Sequence, residues 1–154
     1  MNKISTFKNQ LLVAMPSLSD PLFKQSVAYI FEHGELGAMG IVINKPMNLN
    51  ISNMFEMLQI PVNDPELDHL PVLSGGPVAR EQGFIIHREH NIGNGELTSH
   101  KHHIVISASK EDLITLPQTN YQNIIVTLGY AGWGEGQLER EVIQNDWLIV
   151  PLDP

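Results

Sequence analysis

The sequence predicts an α+β domain on a mixed sheet. Apolar runs of strand length recur along the chain, apolar residues fall at helical spacing in a few places, and strands come both as hairpin pairs and separated by helices. That order fits neither a strictly alternating parallel sheet nor a pure sandwich.

Gln10 to Met15 reads as a buried strand, because a short apolar run stopped by Pro16 is too short for a free-standing helix. Val27 to Phe31 reads likewise. Ala38 to Asn44 is the next strand, and Gly34, Glu35, Leu36 and Gly37 form a link of hairpin length before it. Pro46 ends it. Ile51, Met54, Phe55 and Leu58 then sit at i, i+3, i+4 and i+7 behind Asn50 as cap, the pattern of an amphipathic helix. Residues from Pro61 to Pro71 read as a surface connection, and Val72 to Ser74 as a short strand entering the Gly75-Gly76-Pro77 turn. Further strands are expected at Phe84 to His87, Ile104 to Ser107, Ile124 to Leu128 and Trp147 to Val150, with a tight turn at Ile92 to Gly95. Helices are expected from Ser109, paired with Asp112 as a cap, to Leu116, and over Gln137 to Asn145.

A chain of 154 residues is the size of one domain, and no internal repeat or linker divides it. With no cysteine, disulfides, thiolate catalysis and cysteine-based metal centres are excluded. Nine basic against seventeen acidic residues leave a net charge of −8, which repels nucleic-acid backbones and anionic membranes. Leu11 to Met15 is too short for the apolar part of a secretory signal, and no run reaches membrane-spanning length. The expectation is a cytoplasmic protein with no membrane association.

Chemical motifs are sparse. The stretch Gly129 to Gln137 follows a strand and opens a helix, as a dinucleotide fingerprint would, but Gln137 stands where glycine or alanine is required. It reads as a structural turn packed around Trp133, whose helix N-terminus could accept a small anion. Ser74 before Gly75 and Gly76 lacks the nucleophile-elbow pattern and reads as an ordinary strand-end serine. His100, His102 and His103, with Glu96 nearby, lack a third ligand at a known spacing, so neither metal nor cofactor is expected. His33 and His87 each end a strand, where a histidine serves the ladder more often than a cleft. Glu139, Arg140 and Glu141 read as a solvated helix face.

Four blocks together carry a family resemblance: "MPSLSDPLFKQSVAYIFEH" from Met15 to His33, "GAMGIVINKP" from Gly37 to Pro46, "SGGPV" with "GFIIH" between Ser74 and His87, and "LGYAGWGEGQLEREVIQNDWLIVP" from Leu128 to Pro151. The sequence resembles the bacterial YqgE/AlgH proteins over nearly its whole length. The resemblance implies an α+β fold with a bifurcated mixed sheet, part of it closing toward a small barrel, flanked by short helices. It also implies a link to transcriptional regulation, including alginate production in one lineage, and no enzyme reaction. Members of that family continue past the Trp-Leu-x-x-Pro block with a helical segment, so the expectation is a single domain over residues 1–154 that stops short of it.

Three functions follow in order. The first is a non-catalytic regulatory or adaptor protein, acting on transcription indirectly, that receives a protein partner or small ligand in one cleft. Its walls would be Asn44, Lys45 and Pro46, then Gly75, Gly76 and Pro77, then Tyr130, Trp133, Gln137 and Glu139, with the Trp133 indole as platform. The second is an enzyme using His87 or Glu139 as proton carrier and the Gly75-Gly76 amides as an oxyanion site; the reading leans away from it. Direct DNA binding is last, since the basic residues are spread from Lys3 to Arg140 without a cluster.

Overall fold

Strand-length apolar runs build one branched sheet in the computed structural model, which describes residues 6–57, 59, 71–88, 104–107 and 124–151. Among the described residues there are nine strands and two helices: β1 (Gln10–Ala14), β2 (Val27–Gly34), β3 (Gly37–Val42), β4 (Pro46–Asn50), α1 (Ile51–Met57), β5 (Pro71–Ser74), β6 (Val78–Arg88), β7 (Ile104–Ser107), β8 (Ile124–Trp133), α2 (Gln137–Ile143) and β9 (Trp147–Pro151). The strands run in the order β4-β5-β8-β3-β2-β1-β9, with β6 joined to β8 and β7 to β6. The β5–β8 pair is parallel and the other described pairs are antiparallel, so the sheet is mixed as expected. At the two ends of the order, β4 and β9 each have one described neighbour, and the sheet does not close into a barrel.

The branching comes from β8. Its first half is flanked by β5, through Thr127 and Leu128, and by β6, through residues 124–128, while Ala131, Gly132 and Trp133 pair with β3. Gly129, with φ at 83°, sits at the changeover, and a Cβ there would overlap the carbonyl oxygen of Gly76. The glycine is therefore what lets two backbones touch at the branch. The facing turn is pinned from the other side, where the Val42 amide donates to the Gly75 carbonyl at 2.9 Å and the Ser74 amide to the Lys45 carbonyl at 2.7 Å.

Alternation along β3 divides the core. Ala38 and Val42 join Leu12, Ala28, Ile30, Trp133, Leu138 and Trp147 in one cluster, whereas Ile41 points the other way to Phe84 and Ile86. A strand covered on both faces explains its nearly continuous apolar run. Tyr29 is buried beside it, its hydroxyl donating to Asn9 Oδ1 at 2.7 Å, and burial pushes the phenol up to about 12. In α1 the apolar face Ile51, Met54 and Phe55 is fully buried. Its start is a reciprocal cap: the Asn53 amide donates to Asn50 Oδ1 at 2.9 Å and the Asn50 amide to Asn53 Oδ1 at 3.2 Å.

Three expectations are corrected. Pro46 does not merely end a strand but begins β4, whose pairing with β5 is irregular between Pro46 and Asn50 and so tolerates a residue without an amide proton. The strand expected at Phe84 begins at Val78, because Val78 pairs with Tyr130 across a bulge. The glycine-dense stretch from Gly129 is strand as far as Trp133, and the turn is confined to the residues just after it, before α2. Leu58, the connection after Pro61, the turn at 92–95, the helix at 109–116, Glu96 and the histidines at 100, 102 and 103 lie outside the described residues. No described helix is long and apolar enough to cross a membrane.

Two strand glycines of β8 should behave oppositely. Gly129→Ala combines a positive φ with a backbone overlap and should cost at least about 2 kcal/mol. Gly132 has nothing within 4 Å of the place a Cβ would occupy, so Gly132→Ala should be neutral or stabilising by about 0.5 kcal/mol. Urea unfolding midpoints of the two variants check both.

Candidate functional site

Trp133 ends β8 and Trp147 begins β9, which places the two indoles edge to face at 6.1 Å with Phe23 against both. They are 5% and 3% exposed, so each indole N–H needs an acceptor inside the protein. One side chain supplies both: Glu141 Oε1 accepts from Trp133 Nε1 at 3.1 Å and from Trp147 Nε1 at 3.0 Å. Its Oε2 accepts from Gln137 Nε2 at 2.8 Å, and Gln137 Oε1 accepts from the Gly134 amide at 2.9 Å. A chain of hydrogen bonds thus ties the end of β8, the first turn of α2 and the start of β9. Glu141 is a structural acceptor rather than part of a solvated helix face; the i, i+4 spacing from Gln137 and the needs of two buried indoles were the available signals.

The other polar constellation joins residues 106 positions apart. His33 Nδ1 accepts from the Phe7 amide at 2.8 Å, which assigns the ring proton to Nε2, and Nε2 donates to Glu139 Oε2 at 2.8 Å. The imidazole stacks on the Phe7 ring at 5.1 Å, and its side chain is 1% exposed. For Glu139 burial raises the carboxyl, but its own backbone amide, the His33 hydrogen bond, the electrostatic attraction of the His33 ring and the Arg140 charge outweigh this and hold it below its ordinary range. A carboxylate behind an imidazole orients a general base only when the far nitrogen faces a substrate. Here that nitrogen is spent on Phe7, so the pair fastens the N-terminal segment to α2.

The residues expected in one cleft divide into two groups. Lys45 shares a concavity with Gly76 and Pro77, Pro46 pairs with Leu73 just before that turn, and Gly76 is packed against the Tyr130 backbone. Tyr130 turns its ring edge-on to Phe84 at 6.0 Å. The side chain of Asn44 bridges the preceding loop, accepting from Val27 N at 2.8 Å and donating to the Gln25 carbonyl at 2.9 Å. Trp133, Gln137 and Glu139 take part instead in the indole and imidazole fastenings; the Trp133 ring is almost wholly buried, and the residue also lines the concavity at the tip of the β2–β3 hairpin. His87, 2% exposed, contacts Ser107 Oγ at 2.9 Å and pairs with Ile124 at the end of β8 opposite Trp133. Nine strand steps at about 3.3 Å separate those ends, so His87 and Glu139 do not share a site.

Among the described residues, a smaller and a larger concavity open to solvent. One, of about 70 Å³, is lined by Lys45, Ser74, Gly76, Pro77 and Arg80. The larger, of about 370 Å³, lies at the tip of the β2–β3 hairpin, lined by Glu32, Glu35, Leu36, Ala38, Met39 and Trp133 among others. The residues Glu32, Met39 and Gly132 are successive cross-strand partners and stand on one face, opposite His33, Ala38 and Trp133. Among the described residues no group of three histidines or carboxylates could hold a metal ion.

Glu141→Ala strands two buried indole N–H groups and should cost about 3 kcal/mol or more, Glu141→Gln less, measured by urea unfolding with tryptophan fluorescence. For Glu139 the folded carboxyl lies below its ordinary 4.5, so its contribution is present above that value and disappears as pH falls through the lower folded one. Acid unfolding should therefore show wild type losing its advantage over Glu139→Gln below about pH 4.5.

Comparison with known proteins agrees with this geometry. A family model described as DUF179, AlgH-like, matches residues 11–154. The UPF0301 protein Bfl251 of Blochmanniella floridana is 46% identical over 158 residues, covering 99% of this chain and 81% of that protein. The UPF0301 protein lpl0620 of Legionella pneumophila strain Lens is 43% identical over 150 residues, covering 96% and 79%. The solution structure of the AlgH protein from Pseudomonas aeruginosa superposes with a TM-score of 0.78 at 36% identity, over 100% of this chain and 82% of that one. The crystal structure of DIP2367 from Corynebacterium diphtheriae shares the fold at a TM-score of 0.72 and 20% identity, over 100% and 80%. The chain belongs to the AlgH-like family, the YqgE/AlgH proteins whose sequence blocks it carries.

Proposed function

We propose that this protein is a non-catalytic regulatory or adaptor protein of the cytoplasm, and that it receives an extended, basic segment of a partner protein on the outer face of β2, β3 and β8. The observation that carries the reading is Gly132. It sits inside a strand, outside the positive-φ glycines, with open space where a side chain would stand. A glycine there costs stability relative to alanine and the packing of the fold does not require it. Bare strand backbone of this kind suits close approach by another backbone. Around it, Glu35 and Glu32, the latter in an exposed pair with Lys8 at 3.8 Å, supply negative charge, and Leu36, 90% exposed, and Met39 supply apolar contact. The polar groups that an enzyme would use are engaged in fastenings, which also favours a binding role. The −8 charge argues against nucleic acid as the direct partner.

Backbone amide spectra in the presence of short peptides test this. Arginine- and lysine-containing peptides with one large apolar residue should shift the amides of Glu32, Met39 and Gly132, and acidic peptides of the same length should not. Gly132→Val fills the bare face without touching the fold and should abolish the shifts. Absence of shifts in wild type, or shifts that survive Gly132→Val, would overturn the reading.

A further inference from the structure

At the opposite end of β3 from that groove, the smaller concavity combines features that call for an anion. The turn carrying Lys45 and the turn carrying Ser74, Gly76 and Pro77 are locked together through the Ser74 amide and the Lys45 carbonyl at 2.7 Å. Lys45 does not sweep freely: its Nζ donates to the Lys24 carbonyl at 2.7 Å, and Asn44 fixes the same loop through Gln25 and Val27. Arg80 lines the concavity with Lys45. No carboxylate compensates either cation among the described residues, where the ion pairs are Lys8 with Glu32 and His33 with Glu139. Asp20, in the adjoining turn, is engaged by the Leu22 amide at 2.8 Å.

In a chain with nine basic and seventeen acidic residues, two cations around one notch without an acidic partner is an unfavourable arrangement unless an anion enters. Two of the nine basic residues, 35 positions apart in sequence, line the same concavity. The volume of about 70 Å³ is roughly that of two waters, enough for one small oxyanion group and too small for a nucleobase or sugar. A guanidinium fork with an ammonium beside it suits phosphate oxygens, and the Ser74 hydroxyl adds a neutral donor.

We propose that this notch binds a phosphate group through Lys45 and Arg80, either as the free ion or as the terminal group of a phosphate monoester. Titration of the intact protein at constant ionic strength, followed by amide spectra, tests it with inorganic phosphate, phenyl phosphate, acetate and chloride as separate arms. Saturable shifts of Lys45, Ser74 and Gly76 are expected with phosphate. Affinity should fall about tenfold in Lys45→Met and in Arg80→Gln, while Arg80→Lys keeps most of it. Tighter binding of phenyl phosphate would identify a monoester as the source, and equal or weaker binding the free ion. The amide spectrum of each variant without ligand reports whether it is folded. Shifts that follow chloride equally, binding of acetate as tight as phosphate, or affinity unchanged in both charge-removing variants would overturn the proposal.

Discussion

Everything in this fold depends on one strand serving three neighbours. β8 gives its first half to β5 and β6 and its last residues to β3, and the exchange needs two backbones in contact where Gly129 meets Gly76. A side chain at either position would push the turn after β5 away from β8, and with it the Val42 to Gly75 hydrogen bond that holds the end of β3. The branch also explains why β3 is buried on two sides, since each arm of the sheet contributes a separate apolar cluster to one of its faces. Solvent then reaches β3 mainly at its two ends, where the two concavities lie.

A second constraint closes the far arm. Two indoles packed edge to face expel water from around both N–H groups, and Glu141 accepts both with a single oxygen. Because that carboxylate sits on α2, the helix is held between the ends of β8 and β9 by polar geometry as well as by Leu138, which is 1% exposed. The His33 and Glu139 pair does the same for the N-terminal segment. The histidine and carboxylates that look reactive on paper are consumed by the problem of joining distant chain segments.

Local signals were legible in the sequence where local physics decides the outcome. The β2–β3 hairpin followed from its bounding glycines, and α1 from Asn50 and the spacing of Ile51, Met54 and Phe55. What failed was what depends on partners far along the chain. Gly129 to Trp133 has turn composition, yet it is strand, because glycine was needed for an approach by residue 76 that no local window contains. Glu139 reads in the sequence as a candidate proton carrier or part of a solvated helix face, whereas it is the partner of His33, 106 residues away. The structure puts Lys45, Gly76 and Pro77 of the expected cleft on one concavity and Trp133 on another. A large aromatic amid glycines reads as a platform until its neighbours, Phe23 and Trp147, are known.

The blocks that carry the family resemblance are the same segments that meet at these junctions: β2 to His33, β3 to Pro46, the turn at 74–78 with β6, and β8 through β9. A resemblance built from residues that the branch and the indole acceptor require transmits architecture, and architecture alone does not name a reaction. The two binding proposals rest on residues inside those blocks that folding does not demand. Gly132 is one, a strand glycine with empty space above it. The charge of Lys45 is another: an ammonium is not required to cap the Lys24 carbonyl, and Arg80 lines the same concavity. Gly132 pairs with Met39 toward one end of β3 and Lys45 follows its other end, so the two features flank a strand whose two faces belong to separate apolar clusters.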